Sequence, residues 1–323
     1  MLHPIRPLPV KVDLNVSDLE VAILLCTYNG ERYLEKQLDS FNNQTHTNWK
    51  IYASDDGSSD TTIEILKKYQ SRLGEERLII KTGPRKGFGK NFLSLINDPK
   101  ITAHYYAFSD QDDSWHADKL ARSISALKDI YERSPSLYCS RTRLINPSDK
   151  IIGYSPLFSA APSFKNALVQ SIAGANTMLI NNAARELLCM LDRNISVVAH
   201  DWLAYLVVSG CGGIVIYDPS PTLDYRQHDS NLIGANTSLW SRIVTIRILF
   251  GRRFQKWIAT NLQALSCIEN HLTIENLSVL RNFKLARQSG LTNRVRLMIK
   301  AGVFRQTMKG NVSLAAAIIL KKI

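Results

Sequence analysis

The run Val21–Cys26 limits the folds open to this chain more than any other stretch. Its apolar residues end in the polar cluster Thr27-Tyr28-Asn29. That pattern reads as a strand buried on both faces, and such strands belong to parallel sheets with helices on either side. The following residues keep the alternation. Glu31–Phe41 places Tyr33, Leu34, Leu38 and Phe41 at helical spacing, and Trp49–Ala53 reads as a second strand. Asp60–Tyr69 reads as a helix, with Thr61 and Glu64 spaced as a capping box. Leu78–Lys81 is a third strand, the loop Gly83 to Gly89 leads into a helix over Lys90–Ile96, and Tyr105–Ser109 is a fourth strand before a helix from about Ala117 to Tyr131. Repeated strand–helix units predict a Rossmann-like α/β fold with a mostly parallel sheet. Ligands of such sheets bind outside the carboxyl ends of the strands. Three polar clusters fall there: Thr27-Tyr28-Asn29, Asp55-Asp56-Gly57-Ser58 and Asp110 to Asp113.

The second half is more mixed. Leu137–Ile145 reads as a strand, Ala173–Ile180 ends as one, and Asn181–Leu191 and His200–Ser209 read as helices. Gly213–Tyr217 is a further strand, and a polar loop from Asp224 to Asn236 precedes a helical tail from Trp240. With 323 residues, 45% of them hydrophobic, the chain can bury one large core with an appendage. The expected division is an extension over 1–19, a main domain over 20–236 (a nucleotide half to about 115 and an acceptor half from about 116), and a C-terminal region over 237–323. The five cysteines (Cys26, Cys139, Cys189, Cys211, Cys267) are scattered, which argues against a disulfide framework and a thiolate zinc site. No run approaches the roughly 18 apolar residues of a membrane span, and the Pro-rich start holds no signal-peptide core, so a cytoplasmic protein is expected. The net charge of +12 resides at one end: Trp240 to Ile323 carries 15 Lys or Arg against two acids. Such helices can rest on anionic lipid, present a solvated face or hold nucleic acid. The first is the reading taken here, with peripheral contact at the cytoplasmic face of the membrane and no nucleic-acid partner.

Asp110-Gln111-Asp112-Asp113 after a buried strand is the strongest chemical signal. Carboxylates on a rigid strand end suit a hard divalent cation, Mg²⁺ or Mn²⁺, and clustered without one they repel. A solvated turn capping the next helix is the alternative. Asp55 and Asp56 can accept bonds from a base or ribose, or serve an Asx turn. Thr27, Tyr28 and Asn29 can present backbone groups and a ring to a nucleobase. Asp201 can be a general base or a helix N-cap. Arg226 can grip a diphosphate as a charge fork, and His228 can complete a metal shell or lie in solvent. The loop Arg85 to Gly89 is not a Walker loop, since Lys90 precedes Asn91. Neither a GxSxG elbow nor a Cys/His nucleophile pair is present.

Taken in order, Leu25-Cys26-Thr27-Tyr28-Asn29, Ser54-Asp55-Asp56-Gly57-Ser58-Ser59-Asp60-Thr61 and Phe108-Ser109-Asp110-Gln111-Asp112-Asp113-Ser114-Trp115 resemble the family 2 glycosyltransferases of GT-A fold. Gly87-Phe88-Gly89-Lys90-Asn91-Phe92, His200-Asp201-Trp202 and Tyr225-Arg226-Gln227-His228 resemble its bacterial rhamnosyltransferase-like branch, which builds surface polysaccharides such as the O-antigen of lipopolysaccharide. The resemblance implies an inverting transferase acting on a nucleoside-diphosphate sugar, L-rhamnose from dTDP-rhamnose by preference, and on a glycan or lipid-linked acceptor. A UDP-hexose enzyme of the same fold, or a non-catalytic membrane- or polyanion-binding scaffold, are the alternatives. It further implies that Thr27, Tyr28, Asn29 and Glu31 line the nucleotide pocket with Gly87 and Asn91, that Asp56 with Asp55 reads the base or ribose, and that Asp110 contacts the ribose. Asp112 then binds the cation with His228, and Asp201 is the base. One departure stands out: the family's base often sits in a Glu-Asp pair, whereas His200 precedes Asp201 here.

Overall fold

The computed structural model describes residues 15–192, 195–228 and 252–323. Its centre is a mixed sheet of β1 (Val21–Thr27), β2 (Trp49–Asp55), β3 (Leu78–Thr82), β4 (Tyr105–Ser109), β6 (Ser136–Ser140), β9 (Leu179–Asn181) and β10 (Ile214–Asp218), in the order β10-β6-β9-β4-β1-β2-β3. All neighbours run parallel except β9, which lies antiparallel between β4 and β6. A smaller sheet joins β5 (Ser114–Trp115), β7 (Arg143–Ile145), β8 (Ile151–Tyr154) and β11 (Leu223–Arg226) in the order β5-β11-β7-β8.

Every residue of β1 is buried, and the strand period of two divides them between two cores. Ala22, Leu24 and Cys26 face a cluster containing α3 (Phe88–Ile96) and α7 (His200–Gly210). Val21, Ile23 and Leu25 face the opposite cluster, with α1 (Leu34–Asn42), α2 (Thr62–Leu73) and α4 (Lys119–Leu127). The short α5 (Phe164–Ala167) and α6 (Asn182–Cys189) complete the first layer. Helix α7 is apolar all round because it is covered twice. Beyond it lie α8 (Arg252–Ser266) and α9 (Ile274–Gln288), whose Phe254, Ile258, Leu265, Leu280 and Phe283 share its core. Next come α10 (Leu291–Ala301) and α11 (Met308–Ile319), with Met298 and Leu314 in the same cluster.

Several sequence expectations are adjusted. The stretch 137–145 is two strands on different sheets, and β11 occupies the start of the expected loop from Asp224. The capping box does not form: Thr61 Oγ1 donates to Glu31, while Asp60 accepts from the Thr62 amide and hydroxyl. The expected helix from Trp240 and the 236/237 boundary lie outside the described residues, as do most of 1–19.

Candidate active site

Strand register sets the site. Thr27 pairs with Asp55, Asp55 with Thr82 and Leu25 with Ser109, so β1 to β4 end together at their carboxyl edge. The loops that leave this edge are bound to one another. The Gln111 amide grips the backbone of Tyr28 from both sides, accepting from its N–H at 2.8 Å and donating to its carbonyl at 2.9 Å. A Cβ at Gly30 would come within 2.3 Å of Gln111 Oε1, so any side chain there would displace this amide from Tyr28. Asn29 takes a left-handed φ of 48°, a conformation Asn tolerates. Its amide donates to Ser58 and its side chain accepts from the Ser59 amide. Glu31 accepts from the amide and hydroxyl of Thr61. Tyr28 alone of this loop points its ring outward, 58% exposed.

Asp55 and Asp56 divide their work. The Asp55 carboxylate accepts from Thr27 Oγ1, Ser58 Oγ and the amides of Gly57 and Ser58. It is consumed by the turn and is not open to a base or ribose in this conformation. Asp56 accepts from the amides of Arg85 (2.6 Å) and Gly87 (2.8 Å), which fastens the glycine-rich loop to β2. Asn91, expected at the nucleotide pocket, packs behind the loop. It is buried, its amide donates to the Ser54 carbonyl and its Oδ1 accepts from the Ser54 hydroxyl, so it supports the loop from behind.

The acidic turn sits over a built network. Asp113 is buried and accepts from Asn176 Nδ2 at 2.6 Å and from the Arg226 amide. Lys119 donates to the Asn176 carbonyl, and burial pulls its ammonium down to about 7. Above this, Asp112 Oδ2 and His228 Nε2 lie 2.7 Å apart, across 116 residues of chain. Burial, with the charges of Asp112 and Asp201, pushes the Asp110 carboxyl up to about 7.

Arg226 is placed otherwise than expected. It has no exposed surface; its guanidinium donates to the carbonyl of Asp112 at 3.0 Å, pairs with Asp149 and covers the Tyr33 ring at 4.6 Å. It holds the acidic turn and the His228 loop in place and is not open to a diphosphate in this conformation. Asp201 lies inside the first turn of α7, where the N-cap is Ala199, so it is not the cap. Burial pushes its carboxyl up to about 6. Beside it, His200 stacks on Phe92 at 3.9 Å, with both ring nitrogens buried and unbonded, and burial drops it to about 3, which keeps it neutral.

Sequence reasoning missed Gln111, Asn176, Lys119, Asp149 and Tyr33. Gln111 carried a weak signal, since an amide between carboxylates has two donors to offer. The others gave none, because their partners lie far away in sequence. Among the described residues, no three His, Cys, Asp or Glu side chains close on one point. The cluster therefore offers a cation two ligands, Asp112 and His228, beside the Asp110 carboxyl. A carboxylate and an imidazole would suit a divalent cation that has further positions to fill.

The model of glycosyl transferase family 2 matches residues 22–157, which hold the loops that leave β1 to β4. The chain is 28% identical over 298 residues to the dTDP-rhamnosyl transferase RfbG of Shigella flexneri, covering 87% of this chain and 100% of that protein. It is 27% identical over 165 residues to the putative teichuronic acid biosynthesis glycosyltransferase TuaG of Bacillus subtilis, covering 50% and 62%. Among solved structures, residues 1–349 of Staphylococcus aureus TarS in complex with UDP-GlcNAc align with a TM-score of 0.52 at 12% identity, over 94% of this chain and 90% of that one. The mannosyltransferase PcManGT of Pyrobaculum calidifontis, in complex with GDP-Man and Mn²⁺, aligns at 0.50 with 14% identity, over 93% and 86%. The sheet, its joined loops and these likenesses agree: residues 22–157 match glycosyl transferase family 2, and the chain is a glycosyltransferase of GT-A fold.

Proposed function

We propose that the chain transfers L-rhamnose from dTDP-rhamnose, with inversion, to a glycan or lipid-linked acceptor in the synthesis of a bacterial surface polysaccharide. The carrying observation is the meeting of Asp112 with His228 beside Asp110 and Asp201, at an edge whose other loops are already joined. The similarity to RfbG over its whole length supports the choice of sugar.

In this reading the nucleoside lies over Thr27, Tyr28 and Asn29, with Glu31 bracing that loop and the exposed Tyr28 ring available for stacking. Asp56 and Gly87 shape the wall beyond β2, and Asp110 meets the ribose. Asp112 and His228 would hold Mg²⁺ or Mn²⁺. Neutralising the charge that builds on a departing diphosphate is the chemistry such an ion supplies. Asp201 accepts the proton of the acceptor hydroxyl as its oxygen bonds to the anomeric carbon. The bond from that carbon to the diphosphate breaks on the opposite face, so the configuration inverts. A carboxylate at about 6 is ionised at neutral pH yet more basic than an exposed one. His200, neutral and packed among Phe88, Phe92 and Phe108, keeps the approach to Asp201 dry and adds no competing cation.

The test is donor hydrolysis and thermal shift with dTDP-rhamnose, UDP-glucose, UDP-galactose, UDP-N-acetylglucosamine and GDP-mannose, with and without Mn²⁺, on wild type and Asp112→Ala. A Mn²⁺-dependent response to dTDP-rhamnose, lost in Asp112→Ala, is expected. A response to a UDP-hexose would replace the sugar, a retained anomeric configuration would overturn the mechanism, and silence toward every donor would leave the scaffold reading.

A further inference from the structure

Helix α11 is apolar on the face it turns outward. Leu314 and Ala317 are its buried residues. Met308, Val312 and Ile319 are 86%, 71% and 54% exposed. At 3.6 residues per turn they fall within an arc of about 40°, and the exposed Ala315 borders the same arc. A surface helix ordinarily puts polar residues there, and α11 puts none. Exposed Lys309 flanks the stripe, and Leu320, Lys321 and Lys322 follow it.

The neighbouring helix repeats the pattern. Arg294 of α10 donates to the carbonyls of Ile318 and Ile319, joining the two helices. On α10, Leu291 and Ile299 are 52% and 74% exposed, with Val295 between them and exposed Arg296 and Lys300 at the border. The nearby acids do not offset these cations. Residues 252–323 contain only Glu269 and Glu275, and Glu269 is already paired with Lys284.

An apolar stripe edged by lysines matches one surface chemistry: acyl chains beneath anionic headgroups. A two-fold contact between copies through this face would instead crowd the cations of one copy against those of the other, with no acid in residues 291–323 to pair with them. We propose that α11 seats the protein on an anionic bilayer, with Met308, Val312 and Ile319 below the headgroups and Lys309, Lys321 and Lys322 among them.

Flotation of the full chain with mixed phosphatidylglycerol–phosphatidylcholine vesicles, and with phosphatidylcholine alone, tests this without any substrate. It therefore fails or succeeds independently of the transfer reading. Wild type should float with the anionic vesicles only, and less as salt rises. Val312→Asp/Ile319→Asp should lower the bound fraction roughly tenfold or more, at unchanged melting temperature because both side chains already face outward. Lys309→Gln/Lys321→Gln should weaken binding and flatten its salt dependence. Equal flotation of the double Asp variant, or absence of wild-type binding, would overturn the proposal. So would a wild-type dimer in light scattering that the Asp variant converts to monomer, which would assign the face to a second copy.

Discussion

Asp201 combines two demands that pull apart. It lies where a base is useful, and burial there pushes its carboxyl up to about 6. If it takes the acceptor proton, kcat should fall below an apparent pKa near 6 as the carboxyl protonates. The same shift has a stability consequence. The folded chain keeps this proton where the unfolded chain, near the ordinary 3.8, has released it. Native stability therefore declines as pH rises from about 4 to about 6. Asp201→Asn should lose transfer by roughly a hundred- to ten-thousand-fold, keep nucleotide binding, and melt a few degrees higher than wild type at pH 8. A variant that melts lower would show that the carboxylate is structural. Asn91 is the opposite case. Asn91→Ala should cost about 1–3 kcal/mol by stranding the buried Ser54 groups, measured by denaturant unfolding, and should raise the donor KM through the loop it supports.

At the level of elements, the site depends on β11 meeting the turn after β4. Arg226 makes that junction through the Asp112 carbonyl, Asp149 and Tyr33. Lysine carries the charge without the planar fork. Arg226→Lys should therefore need roughly tenfold more Mn²⁺ for half-maximal activity, with kcat at saturating Mn²⁺ close to wild type. A loss of kcat with an unchanged Mn²⁺ requirement would instead place Arg226 on the substrate. The capping box at Thr61/Glu64 shows how this junction logic overrides local preference. Its hydroxyl is drawn to Glu31 from the neighbouring loop, and Asp60 takes over the helix start.

For the whole molecule, the C-terminal helices are part of a shared core. Phe254, Ile258, Leu265, Leu280 and Phe283 are buried in the cluster that contains α7 and Ala22, Leu24 and Cys26 of β1. Removing residues 252–323 should yield insoluble protein, because α7 would expose its second apolar side. Soluble, donor-binding truncated protein would show the region to be a separable appendage. The described helices include none long and apolar enough to cross a membrane.

The sequence by itself determined the sheet edge. The apolar run of β1, the alternation of strand and helix and the polar clusters at strand ends are local patterns, and they placed Thr27, Asp55, Asp56, Asp110 and Asp112 together. Local pattern also named Asp201 and His228, though not their neighbours. Only the tertiary structure decided which groups stay open. Asp55, Asn91 and Arg226 have the chemistry of ligands, but the fold satisfies them with Ser58, Ser54 and Asp149; the turn at Asp55 is local and legible in the sequence, whereas spacing does not reveal the other two partners. It also turned β9 against its neighbours and wrapped the basic helices over α7. Burial and long-range pairing are properties of where the chain returns, and residue order within a window carries the local period alone.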